Sequence, residues 1–199
     1  MKRFLVLLVL TALTLPALAE RDAADKRTLF NEDDTWQMYS KLSLSFSEVG
    51  RDDGFWGNLE AGGLLNKQFS VGARITALGQ EVDPGFNGYD NPNKYDIMFA
   101  GLALEYTAWA NHLIHTSLGF FIGGGQMRLN RTSDGDDLDV DLFVMEPSLN
   151  VMVNLTPHSE VGLGLAYRHA DTYDSSLPNL SGGSLSGLVG ALFLRLTSE

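Results

Sequence analysis

His115-Thr116-Ser117 puts an imidazole two residues before a hydroxyl. In an extended strand such residues share a face. The pair could therefore supply a general base beside a nucleophile, provided an acid oriented the imidazole. No acid partner is positioned for that by the neighbouring sequence, so a small polar pair facing an interior is the simpler expectation. His169 with Asp171 and Asp174 is a second histidine–carboxylate grouping, and it reads as solvated loop. Asp134, Asp136, Asp137, Asp139 and Asp141 invite a divalent cation, but the spacing and closing glutamate of an EF-hand are missing. A solvated acidic loop, with weak cation bridging to lipid phosphates at most, is expected there. No catalytic residue, metal ligand or cofactor is assigned. The remaining candidates are seven charges set singly into alternating apolar segments: Lys41, Glu60, Arg74, Glu105, Glu146, Arg168 and Arg195.

The segments that must position these charges have period two. Val140–Leu155 is the longest: Phe143, Met145, Leu149, Val151 and Val153 share one face, and Glu146, Ser148, Asn150 and Asn154 the other. The same alternation predicts strands over 35–47, 55–65, 68–78, 95–106, 112–129, 159–169 and 185–196. Asn66-Lys67 reads as a tight two-residue turn. Ile97 and Phe99 fall on the charged face, as do Leu142 and Val144. Pro147 cannot donate to a ladder, so a bulge is expected there, with uncertain register upstream. The connections run moderate, short, long, short, long, short, long, which is the pattern of an outer-membrane barrel with both termini in the periplasm. Trp36, Tyr106 and Trp109 then fall at periplasmic ends, and Phe46, Phe55, Tyr95 and Tyr167 at external ends, as two interfacial girdles. An eight-stranded barrel has just enough interior for its own side chains, so the inward charges must pair. Glu146 is expected to pair with Arg168 or Arg74, and Gly72, Gly162 and Gly164 to make room.

The chain starts with Lys2 and Arg3, an apolar run from Phe4 to Leu15, Pro16 and the small-residue site Ala17-Leu18-Ala19. This predicts a signal peptide over 1–19, cleaved before Glu20. Residues 20–34 are polar and aperiodic, a flexible periplasmic lead-in, and 35–199 form one domain. Without Lys2 and Arg3 there remain 12 basic residues against 25 acidic, a net charge of −13. Nucleic acid is excluded as a partner on that balance. With no cysteine there is no disulfide framework and no thiolate metal site.

Two resemblances follow from particular residues. The His115-x-Ser117 spacing is similar to that of the lipid A deacylase barrels, although Leu118-Gly119-Phe120 departs from their motif. Gly101-Leu102-Ala103-Leu104-Glu105-Tyr106, the Gly123–Gly125 triplet, Phe143–Val151, Leu165-Ala166-Tyr167-Arg168, and Leu180-Ser181 with Ser184–Gly187 resemble a family of small, largely uncharacterised outer-membrane β-barrel proteins of Gram-negative bacteria, of the OmpA/OmpX-like kind. That resemblance implies an eight-stranded barrel and no activity. Such barrels commonly end in an aromatic residue read by the assembly machinery, and the last one here is Phe193.

The expected fold is thus all-β: an eight-stranded antiparallel up-and-down transmembrane barrel following a cleaved signal peptide. The expected role is structural or surface-interacting. Its partners would be outer-membrane lipids, lipopolysaccharide, the barrel-assembly machinery, and an external partner through loops 79–94, 130–139 and 170–184. Three alternatives are a narrow channel for small solutes, a lipid-modifying hydrolase, and a soluble lipocalin-like binder with its apolar face inside.

Overall fold

The computed structural model describes residues 35–49, 52–79, 94–130, 138–172 and 185–198. The expected signal peptide, the lead-in and most of the three long connections lie outside these residues. Eight strands follow in order: β1 Trp36–Val49, β2 Asp52–Leu65, β3 Phe69–Leu78, β4 Lys94–Ala108, β5 Ile114–Asn130, β6 Leu138–Thr156, β7 Ser159–Thr172 and β8 Gly187–Thr197. Each pairs antiparallel with the next, and β8 returns to β1, closing the barrel. Closure leaves no edge strand for edge-to-edge pairing.

At one end the connections are residues 66–68, 109–113 and 157–158; at the other are 79–93, 131–137 and 173–186. The first connection at that second end is shorter than expected. β1 and β2 stay paired as far as Val49 and Asp52, leaving only residues 50 and 51 between them. At the short-turn end, Asn66 and Lys67 have φ of 51° and 60°, and the Gln68 amide donates to the Leu65 carbonyl at 2.9 Å. Two central residues with positive φ match the right-handed twist of the flanking strands, and asparagine tolerates that region at little cost.

Alternation decides which way each side chain points. Large apolar residues are exposed on the outer face of every strand, among them Leu42, Leu59, Ile75, Leu102, Leu118, Leu149, Leu163 and Leu192. The opposite parity is buried. This outer face is the reverse of the polar one that a soluble binder requires. Leu65 shares the parity of the outward Leu59 yet is buried; Trp36 and Phe69 flank it in register.

Toward the long-connection end the two faces exchange character. Outside, β4 passes from Leu102 and Met98 to Asp96, β5 from Phe120 and Ile122 to Gln126 and Arg128, and β7 from Leu165 and Tyr167 to His169 and Asp171. All of these are exposed. Inside, the same strands pass from Glu105 to Phe99 and Ile97, from Ser117 to Phe121 and Met127, and from Glu160 to Ala170. These apolar residues join Val49, Trp56, Val140, Leu142, Val144 and Leu185 in one buried cluster. The lumen is therefore polar in one half and apolar in the other, and Ile97, Phe99, Leu142 and Val144, which share the charged face in the sequence, belong to the apolar half.

That exchange also corrects the reading of Pro147. Leu142 and Val144 face inward because the core is apolar at their level, and no bulge turns them. The β5–β6 register runs unbroken through Phe120↔Pro147. The β6–β7 ladder omits Glu146 and Pro147 but resumes in the same register at Ser148↔Ala166. A residue without an N–H interrupts the bonding there, and no extra residue is needed to absorb it. The irregularity in β6 lies elsewhere, between Asn154 and Thr156.

Candidate functional site

Five consecutive strands each place one charge in a lateral row. In register, Glu160 (β7) faces Arg195 (β8), Arg195 faces Lys41 (β1), Lys41 faces Glu60 (β2) and Glu60 faces Arg74 (β3). The like-charged neighbours Arg195 and Lys41 would repel if left alone. Glu105 reaches between them from β4, accepting from Lys41 Nζ at 2.9 Å and from Arg195 Nη1 at 2.7 Å. Arg195 also donates through Nε to Glu160 at 2.6 Å. Glu146, from β6, accepts from Arg168 Nε at 2.7 Å and from Arg74 Nη2 at 3.2 Å. Glu60 accepts from the Tyr39 hydroxyl at 2.8 Å. Among the described residues, four carboxylates thus meet four cations inside the barrel. The acidic surplus of the whole chain therefore lies outside this network.

Neutral groups fill the remaining valences. Asn150 Nδ2 donates to Glu105 at 3.2 Å and to the Ser117 hydroxyl at 3.0 Å. Thr76 donates to Asn58 Oδ1 at 2.8 Å, and Asn58 donates to Ser45 Oγ at 3.0 Å. The glycines expected to make room do so for neutral side chains: a Cβ at Gly72 would collide with the Tyr39 hydroxyl, at Gly164 with Asn150 Oδ1, and at Gly162 with the Phe193 ring. Phe193, the last aromatic residue, points into the lumen with Lys41 Nζ 4.4 Å from its centroid.

The network adjoins the apolar half through its arginines. The Arg168 guanidinium lies 4.2 Å from the Trp56 ring centroid and 5.0 Å from that of Phe99, and Arg74 lies 3.9 Å from that of Phe121. Trp56–Phe99 and Phe99–Phe121 are tilted ring pairs, each at 5.8 Å. Trp56 Nε1 is satisfied by Ser47 Oγ at 2.8 Å.

All seven singled-out charges thus point inward, and six of them form ion pairs. Both partners proposed for Glu146 engage it at once. Tyr39, Asn58, Asn150 and Glu160 join the network beyond the seven charges named from the sequence. Tyr39 shares the parity of Lys41 and Glu160 that of Arg168, which is the signal that could have found them. Of the girdle residues, Trp36, Tyr106 and Trp109 are exposed at the short-turn end, and Phe46 and Tyr167 toward the other. Phe55 is half-buried, 5.1 Å from the Phe46 ring, and the Tyr95 side chain lies outside the description.

The His-x-Ser pair is buried in the polar half. His115 Nδ1 is 3.2 Å from the His112 carbonyl, and Nε2 stands 3.8 Å from Glu160 Oε1 with no hydrogen bond. The Ser117 hydroxyl accepts from Asn150 Nδ2, while the imidazole bonds only the His112 carbonyl and its Nε2 has no hydrogen-bond partner, so the serine–histidine bond of an activated nucleophile is not formed. His169 and Asp171 are exposed on the outer face. Asp139 pairs with Arg128 at 3.1 Å, both half exposed, and Asp141 is exposed beside them. Asp134, Asp136, Asp137 and Asp174 lie outside the described residues.

A closed eight-stranded meander, apolar outside and charged within, defines the class: a small up-and-down barrel of the outer-membrane kind. No protein-family model matches the chain, and no curated protein matches it. Among solved structures it is similar to the Neisserial surface protein A (NspA), at 13% identity and a TM-score of 0.58, covering 83% of this chain and 99% of that one. It is also similar to the N-terminal β-barrel domain of Pseudomonas aeruginosa OprF, at 6% identity and a TM-score of 0.52, covering 81% and 97%. At these identities the likeness is one of fold.

Proposed function

We propose that the chain is an integral outer-membrane protein with a structural or surface-interaction role, and that its lumen is a plug rather than a path. The short turns face the periplasm and the long connections face outward. The leader is cleaved on export, the barrel-assembly machinery inserts the chain, and outer-membrane lipids and lipopolysaccharide surround it. External partners meet the three long connections. The observation that carries this reading is the belt of exposed large apolar side chains on all eight strands, far more than a water-soluble monomer displays.

The depth of the belt agrees. On β4 the apolar outer face runs from Met98 to Tyr106, about 27 Å of strand at roughly 3.4 Å per residue. At about 40° of tilt that is about 20 Å of depth, against an apolar band of about 25 Å in such barrels. The exchange of polarity marks the outer boundary: Asp96, Gln126, Arg128 and Asp171 stand above it. Glu105 and Glu146, each holding two cations, support a plug, and a Ser117 hydroxyl that His115 does not bond supports a non-enzymatic role.

Cell fractionation with gel migration of heated and unheated protein tests the proposal. Recovery in the outer-membrane fraction, solubility only in detergent and heat-shifted migration are expected. Recovery as detergent-free soluble protein would overturn it.

A further inference from the structure

The lumen is blocked twice, by layers of unlike chemistry. The first layer is ionic. Lys41, Glu105, Arg195 and Glu160, from β1, β4, β8 and β7, join across the barrel. On its short-turn side lies an open polar cavity of about 210 Å³, lined by Gln37, Lys67, Asn154 and Glu160 among others. On its other side lies a small chamber of about 50 Å³, bounded by Lys41, Ser43, Glu60, Arg74 and Glu146 among others. Arg74 Nε, buried without a protein acceptor, lies in the wall residue of that chamber. A polar space of this size holds a few waters and gives such a donor its partner.

The second layer is apolar. Toward the long-connection end, the next inward residues after Asn58, Gly101 and Gly119 are Trp56, Phe99 and Phe121, all 2% exposed or less. Their rings run in contact from β2 to β5. Arg168 covers Trp56 from β7, and Val144, Leu142, Ile97 and Met127 pack beyond.

From this order we infer that the barrel is a blind vestibule, open to water from the short-turn side and closed by two layers in series, so that no exchange of ion-pair partners alone can open it. The inference rests on the plug reading and sharpens it. A carboxylate can move from one cation to another, and water can then follow into the chamber. Arg168 and Arg74 lie against the rings with Glu146 between them, but the rings themselves hold no partner to exchange, and an apolar constriction stops ions without any charge of its own. Passage requires that both layers be breached.

Planar-bilayer recording tests this with four proteins, each first shown to be folded by heat-shifted migration: the unaltered chain, Glu105→Ala for the ionic layer, Phe99→Ala with Phe121→Ala for the ring layer, and all three substitutions together. Steps of current are expected only from the last. Because the chain has no cysteine, Ser43→Cys in the chamber adds a second readout. Its reaction with a water-soluble thiol reagent should accelerate with Glu105→Ala and stay unchanged with the two phenylalanine substitutions. Current from Glu105→Ala alone, or silence from the combined variant, would overturn the two-layer inference and leave the plug reading intact. Current from the unaltered chain would overturn the plug reading itself.

Discussion

Replacing Glu146 by alanine removes the carboxylate shared by Arg168 and Arg74, and the two arginines are not equally affected. The Arg74 side chain is 19% exposed, borders the chamber and faces Glu60 in register, so it can find a new partner. The Arg168 side chain is 2% exposed. Its other contacts are a 3.5 Å hydrogen bond to Ser47 and the faces of Trp56 and Phe99. Those ring contacts, about 1–2 kcal/mol in a dry site, exist before and after the change and do not compensate it. Stranding one buried cation should therefore cost about 3–5 kcal/mol. Adding Arg168→Met removes the stranded charge, and the double variant should regain about 2 kcal/mol over Glu146→Ala alone. The assay is equilibrium urea unfolding from lipid vesicles, followed by tryptophan fluorescence; Trp56 touches Arg168 and reports on the site. A loss below about 1 kcal/mol, or a double variant less stable than the single one, would refute the structural role assigned to the pair.

Five further substitutions probe the belt, the glycine contacts and the ring layer. Leu102→Arg, in the middle of the β4 outer face, should cost about 2–4 kcal/mol, whereas Gln126→Arg, beyond the polarity exchange on β5, should cost about 1 kcal/mol or less. Equal costs in the same vesicle titration would move the membrane boundary. Gly162→Ala forces a methyl group against the Phe193 ring and should lower the urea midpoint. Gly190→Ala, whose Cβ would meet nothing within 4 Å, should leave that midpoint unchanged. Phe121→Ala should cost about 3–5 kcal/mol as a large buried ring is lost, measured in the same way, with Arg74 losing its cation–π partner besides.

Much of this architecture is legible in residue parity. Gly162, Gly164, Ala166 and Arg168 alternating with Val161, Leu163, Leu165 and Tyr167 announce both faces of β7, and the sidedness of the long connections announces the barrel. The pairing inside it is less legible. Glu105 meets Lys41 and Arg195 across the lumen, and those meetings depend on strand tilt and stagger, which no single strand encodes. Glu160 sits at the start of β7, where a charge looks like turn chemistry until Arg195 is seen beside it. Leu142, Val144, Ile97 and Phe99 do not fit a single polarity rule along a whole strand. The strands leave the apolar belt part-way, and the rule reverses there. Pro147, without an N–H, interrupts bonding to one neighbour only, and register survives.

The central claim is that the apolar face meets lipid and the charged face meets the lumen. Spin labels on single cysteines at the adjacent pairs Ser43/Leu44 and Ser148/Leu149, in vesicles, test it most directly. Labels at Leu44 and Leu149 should collide freely with dissolved oxygen and be shielded from a water-soluble nickel complex, while labels at Ser43 and Ser148 should lack the lipid signature. Lipid-like oxygen collisions at Ser43 and Ser148, with Leu44 and Leu149 shielded from oxygen, would contradict it.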